Sequence, residues 1–352
     1  MNQDLQALQR SQGAMFEATA TTPTSFGNDP AAAQAGQTGV AVCDRSHWGR
    51  LQLTDADRKT FLHNQSTNNI QPLQPGDGCQ TVFVTSTART IDLATVYVLE
   101  DAVIVVVSPN RRDYLMKWLD RYIFFGDKVK LQDITDSTAM LSLIGPGSAP
   151  LLQQLGIELD PSQAIDRHQA VTLAGYSTRL AVGSGLATAG YTLIMDAANA
   201  ASVWQALVTA GAVPMGDRVW DHLRVQQGRP VPDQELTEDY NAVEACLWQA
   251  ISINKGCYIG QETIARLDTY KGVKQQIWGI QLPDGNVAPG TAIAIGEEKV
   301  GVLTSVTSLE SGAFGLGYVR TKAGGAGLQV QVGTQTGQLV EVPFLQRDRA
   351  GV

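Results

Sequence analysis

Apolar and polar positions alternate along the first third of the chain. Gly49-Arg-Leu-Gln-Leu-Thr54 sets its leucines on one side, as a half-buried strand requires. Thr54 with Asp57 three residues on resembles a capping box with Asp for Glu, so a helix is expected through His63. Residues 81–85, 90–99 and 102–107 predict three further strands. Ser108-Pro109 suits the cap and first turn of a helix that gathers Leu115, Trp118, Leu119, Tyr122 and Ile123 on one face. That face makes Trp118 and Tyr122 core residues. A similar layout follows: a strand at 139–144, Gly-Pro-Gly, a helix through Leu155, strands at 170–173, 178–182 and 191–195, and a helix over 197–210. Two related halves, over 45–130 and 138–212, are therefore expected, although two like layouts can also arise by coincidence.

Ahead of these halves, residues 4–16 suit a short amphipathic helix, and 18–36, rich in Thr, Ala, Gln and Gly, read as a loose lead-in. Behind them, a helix is expected over 216–227 until Gly228-Arg-Pro breaks it. Asn241 with Glu244 signals another helix running to about residue 250. From residue 274 the texture changes. Short alternating stretches at 276–282, 291–295, 299–308, 314–319, 329–332 and 338–342 are separated by turns, and 14 of the 35 glycines fall between 272 and 340. This predicts a small closed barrel; residues 346–352 read as a frayed tail. The expected class is α+β: a lead-in (1–38), two α+β domains (39–135 and 136–272), each an antiparallel sheet with helices on one face, and a C-terminal β-barrel (273–346).

Composition narrows the function. A net charge of −8 offers no general basic surface for nucleic acid or an anionic membrane, and no apolar run approaches the ~20 residues that cross a bilayer. The first thirty residues hold Asp4, Glu17 and Asp29 against Arg10 and lack an apolar core, which fits neither a secretory signal nor a transit peptide. A cytoplasmic monomer is expected. Cys43, Cys79, Cys246 and Cys257 are scattered, so neither a disulfide framework nor a metal or cluster site held by this chain alone is expected. Walker A, G-x-G-x-x-G and G-x-S-x-G motifs are missing.

The densest chemistry lies in Asn254-Lys-Gly-Cys-Tyr-Ile-Gly-Gln-Glu-Thr-Ile-Ala-Arg266. Gly256 and Gly260 permit sharp bends on either side of Cys257, and a helix from Gln261 would set the thiol near a helix N-terminus with Lys255 close by. The cysteine is a candidate nucleophile; the alternative is a tight connector whose cysteine fills space.

Lys255-Gly-Cys-Tyr-Ile-Gly-Gln-Glu262 resembles the signature of YgfZ-type folate-binding proteins, relatives of the glycine-cleavage T-protein, an aminomethyltransferase. Asp221-His-Leu-Arg-Val-Gln-Gln-Gly228, followed by Glu235-Leu, is similar to the T-protein pattern D-x-L-R-x-E-x-G with its trailing E-L. Leu62-His-Asn-Gln-Ser-Thr-Asn-Asn-Ile70 and Gln12-Gly-Ala-Met-Phe16 also resemble the family. The resemblance covers nearly the whole chain. It implies a three-domain cloverleaf around a folate channel, and tetrahydrofolate or a derivative as ligand. It further implies an accessory role in assembly or repair of iron–sulfur client proteins. The alternative is a tetrahydrofolate-dependent aminomethyl or one-carbon transferase of the T-protein type.

The resemblance assigns roles to particular residues. Cys257 is the candidate thiol nucleophile or acceptor, and Asp92 the candidate channel acid, although Ala88-Arg89 replace the usual glycine pair before it. Thr192 stands where T-proteins carry a glutamate facing the pterin, which weakens the case for aminomethyl transfer. Lys255 and Arg266 are candidates to hold the thiolate or the folate glutamate tail, or they form a solvated basic face. Glu262 pairs with one of them or favours the first helical turn. Arg224 grips folate carboxylates or pairs with Asp221. Asn68 binds ligand or forms a turn. Trp48 and Tyr258 are candidates to stack on a pterin; His47 and His63 have no visible partner in the sequence.

Overall fold

In the computed structural model, residues 2–270, 272–309 and 312–349 are described. The α+β class with a C-terminal barrel is what the chain builds. One six-stranded sheet has the order Val213–Met215, Ala41–Asp44, Thr138–Ile144, Gly190–Asp196, Tyr176–Val182 and His168–Leu173. A five-stranded sheet runs Gly78–Val84, Thr90–Val98, Ala102–Val107, Gly49–Thr54 and Lys130–Asp133. Six strands, Gln275–Leu282, Gly312–Arg320, Glu298–Leu309, Ala292–Ile295, Gln329–Val332 and Gln335–Val340, close the barrel.

Backbone contacts divide the chain into two compact units that do not follow chain order. The first holds Met1–Phe61, Ile70–Cys79 and Thr95–Asp221; the second holds Leu62–Asn69, Gln80–Ala94 and His222–Val352. In the first unit, Ala41–Asp44 precedes the first of the two repeated layouts yet pairs antiparallel with Thr138–Ile144 in the second. It also pairs parallel with Val213–Met215, so this sheet is not purely antiparallel as expected. Leu141, Leu143, Leu152, Leu193, Trp204 and Leu207 fill the core beneath it. The second unit holds several apolar centres. One lies inside the barrel around Ile280, Ile293, Leu303 and Leu339, another joins Val82, Val84 and Leu93 to Leu236, Leu247, Leu316 and Tyr318, and another gathers Ala88, Val243, Trp248, Tyr258 and Ile264 beside the motif loop.

Several expected elements are corrected. The first helix is Gln3–Ser11, not 4–16; Gly13 takes φ +92° and Met15 turns back to bridge Ser25. The lead-in contains a helix, Asp29–Thr38, with Pro30 in its first turn. Its alanines and glycine show no apolar stripe, yet Ala32 and Gly36 are buried. The helix after Thr54 begins later, at Arg58–Gln65, because Asp55 is left-handed (φ +72°) and the Asp57 carbonyl takes the first helical N–H, from Phe61.

The cap at Asn241 forms without its helix. Asn241 Oδ1 accepts from the Val243 and Glu244 amides, and Glu244 Oε2 accepts from the Asn241 amide. Cys246 then turns left-handed (φ +55°), and only a 3-10 turn at Trp248–Ala250 follows. The tail is ordered through residue 349. Gln346 bridges Leu247, the Arg347 guanidinium lies 3.4 Å from the centre of the Trp278 ring, and Arg349 pairs with Asp268. Residues 350–352 lie outside the described residues.

Candidate functional site

In the second unit, the motif loop is sewn onto the chain that leaves the helix Arg58–Gln65. Such a helix end presents carbonyls with no intrahelical donor. Lys255 answers them: its ammonium donates to the carbonyls of His63, Ser66 (2.6 Å) and Asn68 (2.8 Å) while 7% exposed. Three donors meet three acceptors, which makes burial of the charge tolerable. The same ammonium lies 4.6 Å from the centre of the Tyr258 ring. Further stitches run from Thr67 Oγ1 to the Ala250 carbonyl (2.7 Å), from the Ser252 amide to the Thr67 carbonyl (3.0 Å) and from the Ile259 amide to the Asn64 carbonyl (3.2 Å). His63 gains the neighbour its sequence did not show. Burial, then the Lys255 charge, lowers its pKa.

The two glycines of the motif differ. Gly260 has φ +82°, and a Cβ there would stand 2.8 Å from the Thr85 carbonyl oxygen, so the turn needs glycine. Gly256 is not left-handed, and the nearest atom to a Cβ there is His63 Nε2 at 3.8 Å. Of the two expected bends, one requires glycine. Cys257 between them is exposed, and the helix Gln261–Tyr270 starts just beyond Gly260. Glu262 and Arg266, on that helix, are both exposed and form no ion pair among the described residues.

Asp92 is fully buried in Thr90–Val98. The strand start is anchored by the Thr90 amide and hydroxyl on the carbonyls of Tyr240 and Thr237 (3.0 and 2.9 Å). Just ahead, Ala88 holds φ +62°, the left-handed conformation that the replaced glycine pair would suit. Asn68 behaves as a turn former: its side chain donates to the Gln80 carbonyl (2.7 Å) and accepts from the Asn69 amide (2.8 Å). Arg224 is buried and grips a carboxylate of its own chain, Glu235, at 3.0 Å, with Gln234 and Ser305 also accepting. Glu235 further accepts from Thr304 Oγ1 (2.7 Å), Ser305 Oγ and the Val231 amide. The R…E-L spacing thus encodes a buried ion pair.

Around the node of Asn68 and Lys255, hydrogen-bonding capacity is left over. Gln65 Oε1, Gln80 Oε1, Gln249 Oε1 and Tyr258 Oη are buried with no hydrogen-bond partner among the described residues. Three carbonyl-type acceptors and a phenol in one neighbourhood suit a polar ligand rich in N–H donors.

Thr192 belongs to the first unit. Its hydroxyl donates to the Gly183 carbonyl (2.8 Å) and hydrogen-bonds the Tyr97 hydroxyl. Beside Tyr97 lies Asp166, a buried carboxyl pushed up to about 7 by desolvation. Sequence reasoning passed over Asp166, which sits in a polar stretch and adopts φ +67°. Trp48, also in this unit, stands edge-on to Trp220 with Arg45 between their faces, and His47 meets Thr22 Oγ1 at 3.0 Å. The structure therefore gathers Cys257, Asp92, Arg224, Lys255, Glu262, Arg266 and Asn68 in one unit and Thr192 in the other.

Residues 6–255 match the family described as the GCVT N-terminal domain. A chloroplastic protein of Arabidopsis thaliana, described as a transferase, is 44% identical over 326 residues, covering 92% of this chain and 75% of its own length. An aminomethyltransferase of Halalkalibacterium halodurans is 26% identical over 338 residues, 92% of each chain, and one of Geobacillus kaustophilus is 27% identical over 339 residues, again 92% of each. Among solved structures, the glycine cleavage system aminomethyltransferase T from Bartonella henselae superposes with a TM-score of 0.85 over 98% of both chains at 17% identity, which shows a common fold. Among the described residues, no group of His, Cys, Asp and Glu could hold a metal ion, and no helix is long and apolar enough to cross a membrane.

Proposed function

Because the chain belongs to the GCVT N-terminal-domain family, we propose that it is a tetrahydrofolate-dependent one-carbon transferase of the aminomethyltransferase type. The observation that carries this reading is the set of unpartnered acceptors around Asn68 and Lys255, in the same unit as the buried Asp92. A reduced pterin presents ring and exocyclic N–H groups that such acceptors would take, and a buried carboxylate is suited to hold a proton near a folate nitrogen. Tetrahydrofolate would supply the nitrogen that accepts the one-carbon unit. The chain would exclude water, orient the ring and fix Asp92. Lys255 acts by positioning, since its donors bind the carbonyls that shape the loop. Names of relatives from three organisms, all transferases, favour this reading over an accessory role.

The test is production of 5,10-methylenetetrahydrofolate from an aminomethyl-lipoyl carrier protein. We expect turnover by the wild type and a loss of at least about a hundredfold in Asp92→Asn, with folate binding retained by calorimetry. No product from the wild type would refute the proposal.

A second reading, a folate-binding factor for assembly or repair of iron–sulfur client enzymes, is favoured by the exposed Cys257 and by Thr192 in place of a pterin-facing glutamate. Under it, Cys257→Ala would fail to restore iron–sulfur enzyme activity in a deletion strain, whereas full restoration would exclude a role for the thiol. The working compartment proposed is the cytosol, and the working form a monomer.

A further inference from the structure

A cleft of about 1010 Å³ opens within the second unit between the end of the helix Gln261–Tyr270, the first barrel strand, the turn at Thr321–Ala323 and the C-terminal segment. Six cationic side chains line it: Arg89, Lys274, Arg320, Lys322, Arg347 and Arg349. Two of these, Arg320 and Arg349, are matched by the carboxylates of Glu298 and Asp268. Arg89 donates to a neutral acceptor, the Asp239 carbonyl (2.8 Å), and Lys274 and Lys322 are exposed and form no close salt bridge among the described residues. Arg347 pairs with Glu341 through Nε and lies over the Trp278 ring, while its Nη2 is buried with no hydrogen-bond partner. A rigidly stacked guanidinium with a spare buried donor is a built receptor for an oxyanion.

Acidic groups do not cancel this. Asp268 is consumed by Arg349, and Asp239 and Asp348 are exposed. Glu244 is buried and accepts from the Asn241 amide; burial raises its pKa, against the lowering influence of the nearby Arg89 and Lys274 charges. The lining thus carries more cations than acids on a chain whose net charge is −8. The volume is that of a small-molecule site, not of a protein interface.

We propose that this cleft binds a small polyanion, carrying several carboxylates or phosphates, with Arg347, Arg89, Lys274 and Lys322 as its contacts. The proposal stands apart from the transfer reaction and needs no turnover. Calorimetry on the full chain with tri-γ-glutamate, and separately with inorganic tripolyphosphate, tests it and shows which source of negative charge is preferred. Binding of at least one is expected, weakened at least about tenfold by Lys274→Glu with Lys322→Glu. The control Lys117→Glu with Lys128→Glu makes the same change in net charge at exposed sites outside the cleft and should bind as the wild type does. Binding of neither probe, unchanged affinity in the cleft variant, or equal weakening in the control would overturn the proposal.

Discussion

Gly260 and Gly256 flank the same thiol but carry different loads. A methyl group at 260 meets the Thr85 carbonyl at 2.8 Å, the Ala88 Cα at 3.0 Å and a left-handed backbone. Gly260→Ala should therefore cost about 2 kcal/mol or more in urea unfolding, whereas Gly256→Ala should lie within about 0.5 kcal/mol of wild type. Equal effects would mean that both turns are set by something other than backbone freedom. The sequence marks both glycines alike, because which of them is left-handed depends on what stands across from it. The sequence marks Lys255 as a candidate to hold the thiolate or a folate tail, or as part of a solvated basic face. Its actual partners, three carbonyls, were not legible, since backbone acceptors leave no trace in residue type.

Among elements, the helix Asp217–Gln227 is tied to the barrel strand Glu298–Leu309 by Arg224, Glu235 and Ser305. Removing one member of a fully buried pair strands the other charge, so Arg224→Met should destabilise by about 3–5 kcal/mol in chemical denaturation. Arg224→Met with Glu235→Leu should recover part of that loss. A loss in the single variant below about 1 kcal/mol would argue against a structural role. The elements that periodicity predicted well are those with one apolar face, such as the strand Gly49–Thr54 and the barrel strands. The helix Asp29–Thr38 escaped because small residues bury a face without an apolar signature. At residues 241–250 the capping residues were legible but the helix was absent, because tertiary burial of Ala242, Val243, Ala245 and Leu247 dictates a compact turn there.

For the molecule as a whole, Asp166 sets a pH signature. Burial raises its folded pKa to about 7, above the ordinary 3.8, so the folded chain holds the proton more tightly than the unfolded chain. Its contribution to stability is therefore fully present below about pH 4, declines as the pH rises toward 7, and is flat above. Asp166→Asn should remove this slope and stabilise the protein at pH 8 by up to about 4 kcal/mol. A melting temperature with the same pH dependence in the variant would contradict the assignment. Organisation at this scale was only partly readable. The barrel announced itself by glycine turns, but the division into two discontinuous units could not be read from local pattern. It depends on residues 62–69 and 80–94 packing with the C-terminal part of the chain.

The contrast between Lys255 and Cys257, two residues apart, has a practical consequence. The amine is buried and consumed, while the thiol faces solvent. The motif thus offers one chemical handle, next to a nucleophile that reagents cannot reach. Cys43 and Cys246 are buried, and burial pushes both thiols up, Cys246 to about 11, which slows their alkylation. A spectroscopic tag introduced through a thiol would settle first on the loop at the centre of the functional question and report its surroundings, with Cys79, only partly exposed, as the one background position to silence.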